Sequence, residues 1–425
     1  MKGGAELGKC LASSFTHKSL IPGFIIAILI YNFIYPIRLR VLPGSEIYIY
    51  IVTIGASFLY FRHLNWFPSN VPFFIIFPAI GVLLILSILS ILYNNSIDYL
   101  SVLVLIKYLF AVVISYVLSL LIIHKYKERS IYILIKFITL STLLIAVTCI
   151  LEFFVFEAKL LFNILINTSG NIEYGESFRV HGLATGGGAS LSVGLSVGAV
   201  LALFLSSVSQ GLNKYFWIIV VFIIYIGCFL VGRTGFYLLT LFLALFILKS
   251  ISFKSIFLII PAILIIYIGD NLIDSDHVDI FISHAFEPIN NYLKYGEFTS
   301  KTTTAVAGMY YLPNIDHFVI GAGYWRYPTH YYALSDPGYM KTLFAYGIFG
   351  FILFYGLQLY LYKKAYQFYK RMSGFRMEFM YVFVVPFIVE SKEAFFVQNY
   401  TFKIIILLII FSFLYSRLTI DCRKI

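Results

Sequence analysis

Apolar runs long enough to cross a lipid bilayer recur along almost the whole chain, and they fix what it can fold into. A helix needs about 20 mostly apolar residues to span the hydrocarbon. Only helices and closed barrels satisfy all their backbone polar groups there. Windows of that length give candidate helices at about residues 20–37, 45–61, 71–93, 100–123, 131–156, 184–208, 215–231, 234–250, 253–269, 339–362, 377–390 and 400–416. The stretch 215–250 reads as one run, which Gly232-Arg233-Thr234-Gly235 divides into a hairpin. Composition excludes the two or three soluble domains that 425 residues would otherwise allow: 60% of residues are hydrophobic and 12% charged, where a soluble protein carries about 25% charged. The expectation is an all-α polytopic membrane protein with about 12 transmembrane helices, forming a single integral membrane domain over residues 1–425.

Lys and Arg orient such a chain, because they collect in cytoplasmic segments. With the N-terminus inside, Lys125, Lys127 and Arg129, then Lys363, Lys364, Lys370, Arg371 and Arg376, then Arg417, Arg423 and Lys424 all fall inside. Among the acidic residues only Glu6, Glu128, Glu378 and Asp421 join them. Both termini are then expected in the cytoplasm. The formal net charge of +11 is spread over short loops in this way, so nucleic acid is not an expected partner; membrane lipid is. No small-x-small cleavage site follows the first span, so that span reads as an anchor and not as a removable signal. Cys10, Cys149, Cys228 and Cys422 have no metal-site spacing and imply no disulfide framework.

This orientation leaves two long loops outside, at about 157–183 and 270–338. A loop of about 70 residues is usually functional, and 270–338 is the place where part of an active site is expected. Its end reads Gly321-Ala-Gly323-Tyr-Trp-Arg326-Tyr-Pro-Thr-His330-Tyr-Tyr-Ala-Leu-Ser335-Asp336-Pro-Gly338-Tyr339. Aromatic faces stack on sugar rings, and Arg326, His330 and Asp336 could fix or deprotonate hydroxyls. The aromatics taken alone also fit an interfacial belt. The loop 157–183 ends at Arg179 and His181, before Gly182 and the glycines 186–188. A helix N-terminus there would offer free N–H groups to an anion, although small residues equally permit close helix packing. Arg233, at the tip of the hairpin, reads either as a charge for a phosphate or as a snorkelling interfacial side chain. Arg179, Arg233 and Arg326 are thus expected on one face of the membrane.

Gly321-x-Gly323, then Ser335-Asp336-Pro-Gly338-Tyr339, then Gly347-Ile-Phe-Gly350 resemble the O-antigen polymerases and the related O-antigen ligases of bacterial envelopes. Arg179-x-x-Gly182 and Gly232-Arg233-Thr234-Gly235 occupy the expected places, as does one large late periplasmic loop. The ligases carry a His-Asn pair eleven residues before the first of two glycines spaced like Gly347 and Gly350. Here Asp336-Pro337 stands there, which resembles the polymerase branch.

The resemblance implies a glycosyltransferase of the bacterial inner membrane that needs no metal and no cofactor. Its donor and acceptor would be oligosaccharide repeat units on undecaprenyl diphosphate, with a chain-length regulator and a flippase of the same pathway as partners. Catalytic candidates are Asp336 and, as the alternative base, His330. Substrate-binding candidates are Arg179, Arg233, Arg326 and His181. A lipid-linked oligosaccharide flippase and an O-antigen ligase are the competing readings. A flippase needs ionisable residues facing a central cavity from many helices, and away from the span ends the intramembrane charges are few: Lys107, Lys136 and Glu152. Glu390, Lys392, Glu393 and Lys403 around the last outside loop either line the same cavity or, the preferred reading, are ordinary interfacial charge.

Overall fold

The structure, a computed structural model, describes residues 22–40, 51, 55, 73–166, 180–250, 283, 286–297, 299–326, 331–373, 376–397 and 399–424. Among these, all the regular elements are helical: α1 (Gly23–Ile34), α2 (Phe73–Tyr93), α3 (Leu100–Tyr126), α4 (Ser130–Phe154), α5 (Phe156–Leu165), α6 (Gly188–Val208), α7 (Leu212–Val231), α8 (Arg233–Ser250), α9 (Glu287–Tyr295), α10 (Lys301–Ala307), α11 (Ile315–Ile320), α12 (Gly338–Ser373), α13 (Met377–Val389) and α14 (Tyr400–Lys424). Six stretches are helical, long and apolar enough to cross a membrane: Phe73–Tyr93, Leu100–Phe154, Gly188–Val208, Leu212–Val231, Gly338–Met372 and Tyr400–Arg417. The chain is therefore a helical, multi-pass membrane protein. The expected run 253–269, and all of 45–61 except Ile51 and Gly55, lie outside the described residues. Short helices lie in the two stretches expected as long loops, α5 in the first and α9, α10 and α11 in the second.

Helix ends follow local chemistry. Lys127-Glu128-Arg129 forms a 3-10 turn between α3 and α4, where charge interrupts an apolar run. Gly232 ends α7, its N–H donating to Cys228 O at 3.1 Å, and α8 begins at Arg233, as the sequence break implies.

The chain forms two compact units. The first comprises Met1–Ile26, Ile51–Ser130 and Lys301–Ile425; the second comprises Ala27–Tyr50 and Ile131–Ser300. In the first, α12 packs on α2, α11, α13 and α14, and α14 packs on α3. Some polar side chains in these apolar helices find partners across helices, which removes the penalty of an unsatisfied group there. Gln358 Nε2 donates to Tyr108 Oη at 3.2 Å, Tyr346 Oη donates to Ser101 O at 3.0 Å, and Ser87 and Ser101 share a hydrogen bond of 2.8 Å. Only 33% of the α2 span is buried, against 78% for α14. Phe74, Phe77, Ile85 and Leu92 are exposed on α2, which is the surface a lipid would cover.

In the second unit α6 packs against both α7 and α8. The contact is built on small residues. Gly235 N–H donates to Ser192 Oγ at 3.1 Å, and Cys228 Sγ reaches Ser192 O at 3.1 Å. A Cβ at Gly232 would stand 3.1 Å from Gly188 O. Close packing accounts for Gly188, Gly232 and Gly235 here, the second of the two roles such glycines can play.

The long α12 is not straight. Gly347 has φ 68° and ψ −175°, so two helical segments meet at a kink. Gly321, at φ +89°, crosses the chain at the same point, and a Cβ on it would lie 2.7 Å from Gly347 N and 2.8 Å from Ala345 O. Ala322 N–H donates to Phe344 O at 2.6 Å beside it. A β-branched residue is a genuine outlier at positive φ, and such strain costs on the order of 1–3 kcal/mol before any clash. Gly347→Val should lower the thermal unfolding temperature of the detergent-solubilised protein by several degrees, if it accumulates at all. Gly356→Ala, whose new methyl would meet nothing within 4 Å, should not. Equal midpoints for Gly347→Val and wild type would mean the crossing is dispensable.

Candidate functional site

In the first unit, the connection between α2 and α3 holds residues 321–326. Asn94 Nδ2 donates to Gly321 O at 2.8 Å, and Ser96 Oγ donates to Gly323 O at 3.1 Å. The Asp98 carboxylate is buried. Its Oδ1 accepts from Leu100 N at 2.9 Å and its Oδ2 from Trp325 N and Arg326 N, both at 2.7 Å. Hydrogen bonds from backbone N–H groups to a carboxylate are the stronger, charge-assisted kind. Trp325 is buried, while Arg326 is exposed. The backbone of Arg326 is therefore fixed and its guanidinium is free to meet a ligand.

Residues 335–341 are positioned just as locally. Ser335 Oγ donates to Met309 O at 3.2 Å, and Asp336 N–H points at Met309 Sδ at 3.4 Å. Gly338 N–H donates to Glu390 O at 2.8 Å. With its backbone so held, the Asp336 side chain remains 59% exposed, and Lys341 Nζ stands 3.6 Å from its Oδ1. Arg326 and Glu393 also act electrostatically on Lys341. Two cations and a solvent-accessible carboxylate thus gather at the start of α12. A carboxylate can take a proton from a hydroxyl, and the cations can bind anionic or polar substrate groups.

Lys341 and Asp98 were not among the residues singled out from sequence. Lys341 follows Asp336 by five residues across a helix start, a proximity that spacing alone does not reveal. Asp98 is recognised by backbone amides more than 220 positions away, although the polar run Asn94-Asn95-Ser96-Ile97-Asp98 at a span end was a visible signal. Glu390 corrects the interfacial reading: it is only 1% exposed.

The second unit contains Arg233 and His181. Arg233 is the first residue of α8, and its Nη1 donates to Glu287 Oε2 at 2.7 Å in an ion pair largely shielded from solvent. Glu152, from α4, clamps the chain entering α6. Its Oε2 accepts from His181 N at 2.8 Å and from Gly182 N at 2.6 Å. The His181 ring is buried, with Nδ1 2.9 Å from Gly182 O and Nε2 3.6 Å from Glu152 Oε1. Arg179 and His330 lie outside the described residues.

No protein-family model and no curated protein matches the chain.

Proposed function

We propose that the chain is an O-antigen, or surface polysaccharide, polymerase. It would join undecaprenyl-diphosphate-linked repeat units at the outer face of the bacterial inner membrane, with about twelve spans and both termini in the cytoplasm. The observation that supports this most is that three of the five segments carrying the family resemblance, 321–323, 335–339 and 347–350, lie within one unit. Gly321 crosses Gly347, and at the start of the same helix Lys341 stands 3.6 Å from Asp336 and feels the charge of Arg326. The competing flippase needs ionisable side chains open to a cavity, whereas Glu152 is buried and committed to two backbone amides.

The acceptor is a hydroxyl of one repeat unit, which attacks the anomeric carbon of the growing chain. A carbon–oxygen bond forms as the bond to lipid diphosphate breaks, and the diphosphate leaves with the electron pair. The hydroxyl proton passes to Asp336 or, in the alternative assignment, to His330. In-line attack inverts the anomeric carbon. Cations aimed at the departing charge contribute most in the transition state; Arg179 and Arg233 are the candidates the sequence offers for that role, with Arg326 next. Arg233 would act together with Glu287, and His181 as a support of the loop. Membrane lipid, a chain-length regulator and the pathway's flippase are the proposed partners.

The band pattern of surface polysaccharide in a deletion strain tests this. Loss of the chain should leave lipid core capped by a single repeat unit. Uncapped core would assign the ligase reaction instead. Accumulation of carrier-linked units in the cytoplasmic leaflet would assign the flippase.

A further inference from the structure

Glu390 lies one residue beyond α13, in the connection to α14, and is buried; among the described residues no cation shifts its carboxyl. Its Oε2 accepts from Phe395 N at 2.5 Å and Phe396 N at 3.2 Å, and its Oε1 accepts from Tyr355 Oη at 2.8 Å. Its backbone oxygen takes the N–H of Gly338 at 2.8 Å. A Cβ on Gly338 would run into the Glu390 carboxyl, so the start of α12 rests directly on this side chain. Asp336 and Lys341 flank that contact, two and three residues away. We propose that Glu390 is the positioning residue for the Asp336–Lys341 site, a buried carboxyl on which the first turn of α12 is seated.

Burial pushes the Glu390 carboxyl up to about 8, and the three hydrogen bonds only partly oppose it. The titratable groups that face it are Tyr339, Tyr355 and Tyr362 of α12 and Tyr310 of the segment before α11, none of them a cation. The neutral acid suits the site. In the neutral acid one oxygen still takes both amide protons, and the other turns from accepting the Tyr355 hydroxyl to donating its own proton to it. Tyr355 then donates to Thr342 Oγ1, 3.2 Å away. A glutamine satisfies the same partners, its carbonyl taking the amides and its NH₂ donating to Tyr355. Loss of the proton leaves a buried charge whose desolvation the two amides and the Tyr355 hydroxyl only partly offset.

Because the folded state binds this proton more tightly than the unfolded chain does, stability from Glu390 is greatest below the ordinary Glu value of 4.5 and is lost as pH rises through about 8. The role in positioning rests on the polymerase reading; the role in stability does not. Wild type, Glu390→Gln and Glu390→Ala would be purified in detergent and compared by thermal unfolding and by polymer formed from lipid-linked repeat units, across pH. The wild-type midpoint should fall across that window and the Gln midpoint should lack that slope. Glu390→Gln should also keep wild-type turnover at neutral pH and outlast it above about pH 8, while Glu390→Ala should lose on the order of 100-fold, the cost of moving a reacting group by about 1 Å. A Gln variant that unfolds with the wild-type slope, or that is inactive at neutral pH while the wild type polymerises, overturns the proposal. If no protein forms polymer, wild type included, while the unfolding slopes still differ, glycosyl transfer falls and Glu390 keeps its hold on the helix start.

Discussion

Asp336→Asn should lower turnover by about 10²–10⁴-fold in a polymerisation assay with purified lipid-linked repeat units at saturating donor, the range a positioned general base contributes. The substitution keeps size and one acceptor oxygen, and removes the charge that would accept the acceptor's proton. Its backbone position should survive, because Ser335 is bound to Met309 O and Gly338 to Glu390 O on either side of it. Donor affinity should also be largely kept, since an interaction made only in the transition state lowers kcat and leaves ground-state binding unchanged. His330→Gln should be milder, acting through acceptor placement. The opposite ranking, an inactive His330→Gln together with wild-type activity that falls as pH drops through about 6.5, the unperturbed histidine value, would transfer the base role to His330. Equal turnover for Asp336→Asn and wild type would end the base assignment altogether.

What the sequence reveals of this chain is what short-range physics decides. Apolar run length places α2, α6 and α7 within a few residues of their observed bounds, and the start of α14, which runs eight residues further than expected. Charge at Lys127-Glu128-Arg129 and glycine at 232 mark two of the breaks between helices. The kink in α12 is a different matter. Gly347 and Gly350 read as a motif, but the bend arises where Gly321 crosses Gly347, 26 positions away in sequence. Glu390 closes an apolar run and so resembles any interfacial acid. Its burial depends on Tyr355, 35 residues earlier. Arg233 reads as a lone cation until Glu287 is placed 54 residues on. Side-chain pairs of this kind are set by packing between helices, and periodicity carries no record of them.

The second large effect separates two cations that the sequence does not distinguish. In-line displacement puts the entering and departing oxygens on opposite faces of the sugar ring, so one tight pair cannot serve both ends. Lys341 Nζ is 3.6 Å from Asp336 Oδ1 and its side chain is only 14% exposed, which commits it to the acceptor end beside the base. Arg326 is exposed on a backbone pinned by Asp98 and, in the proposed reaction, is the one of these two assigned to the departing diphosphate. Arg326→Ala should therefore cost about 10²–10³-fold in turnover, the size seen when one preorganised group facing transition-state charge is removed. Arg326→Lys should recover only part of this, because a point charge cannot grip a phosphate with a planar fork. Donors with a more acidic leaving group need less help from a cation, so the Arg326→Ala deficit should shrink with them. The smaller deficit of Lys341→Met should stay constant across the same donors. A deficit for Lys341→Met that tracks the leaving group, with none for Arg326→Ala, would reverse the two assignments and place the diphosphate against the first turn of α12.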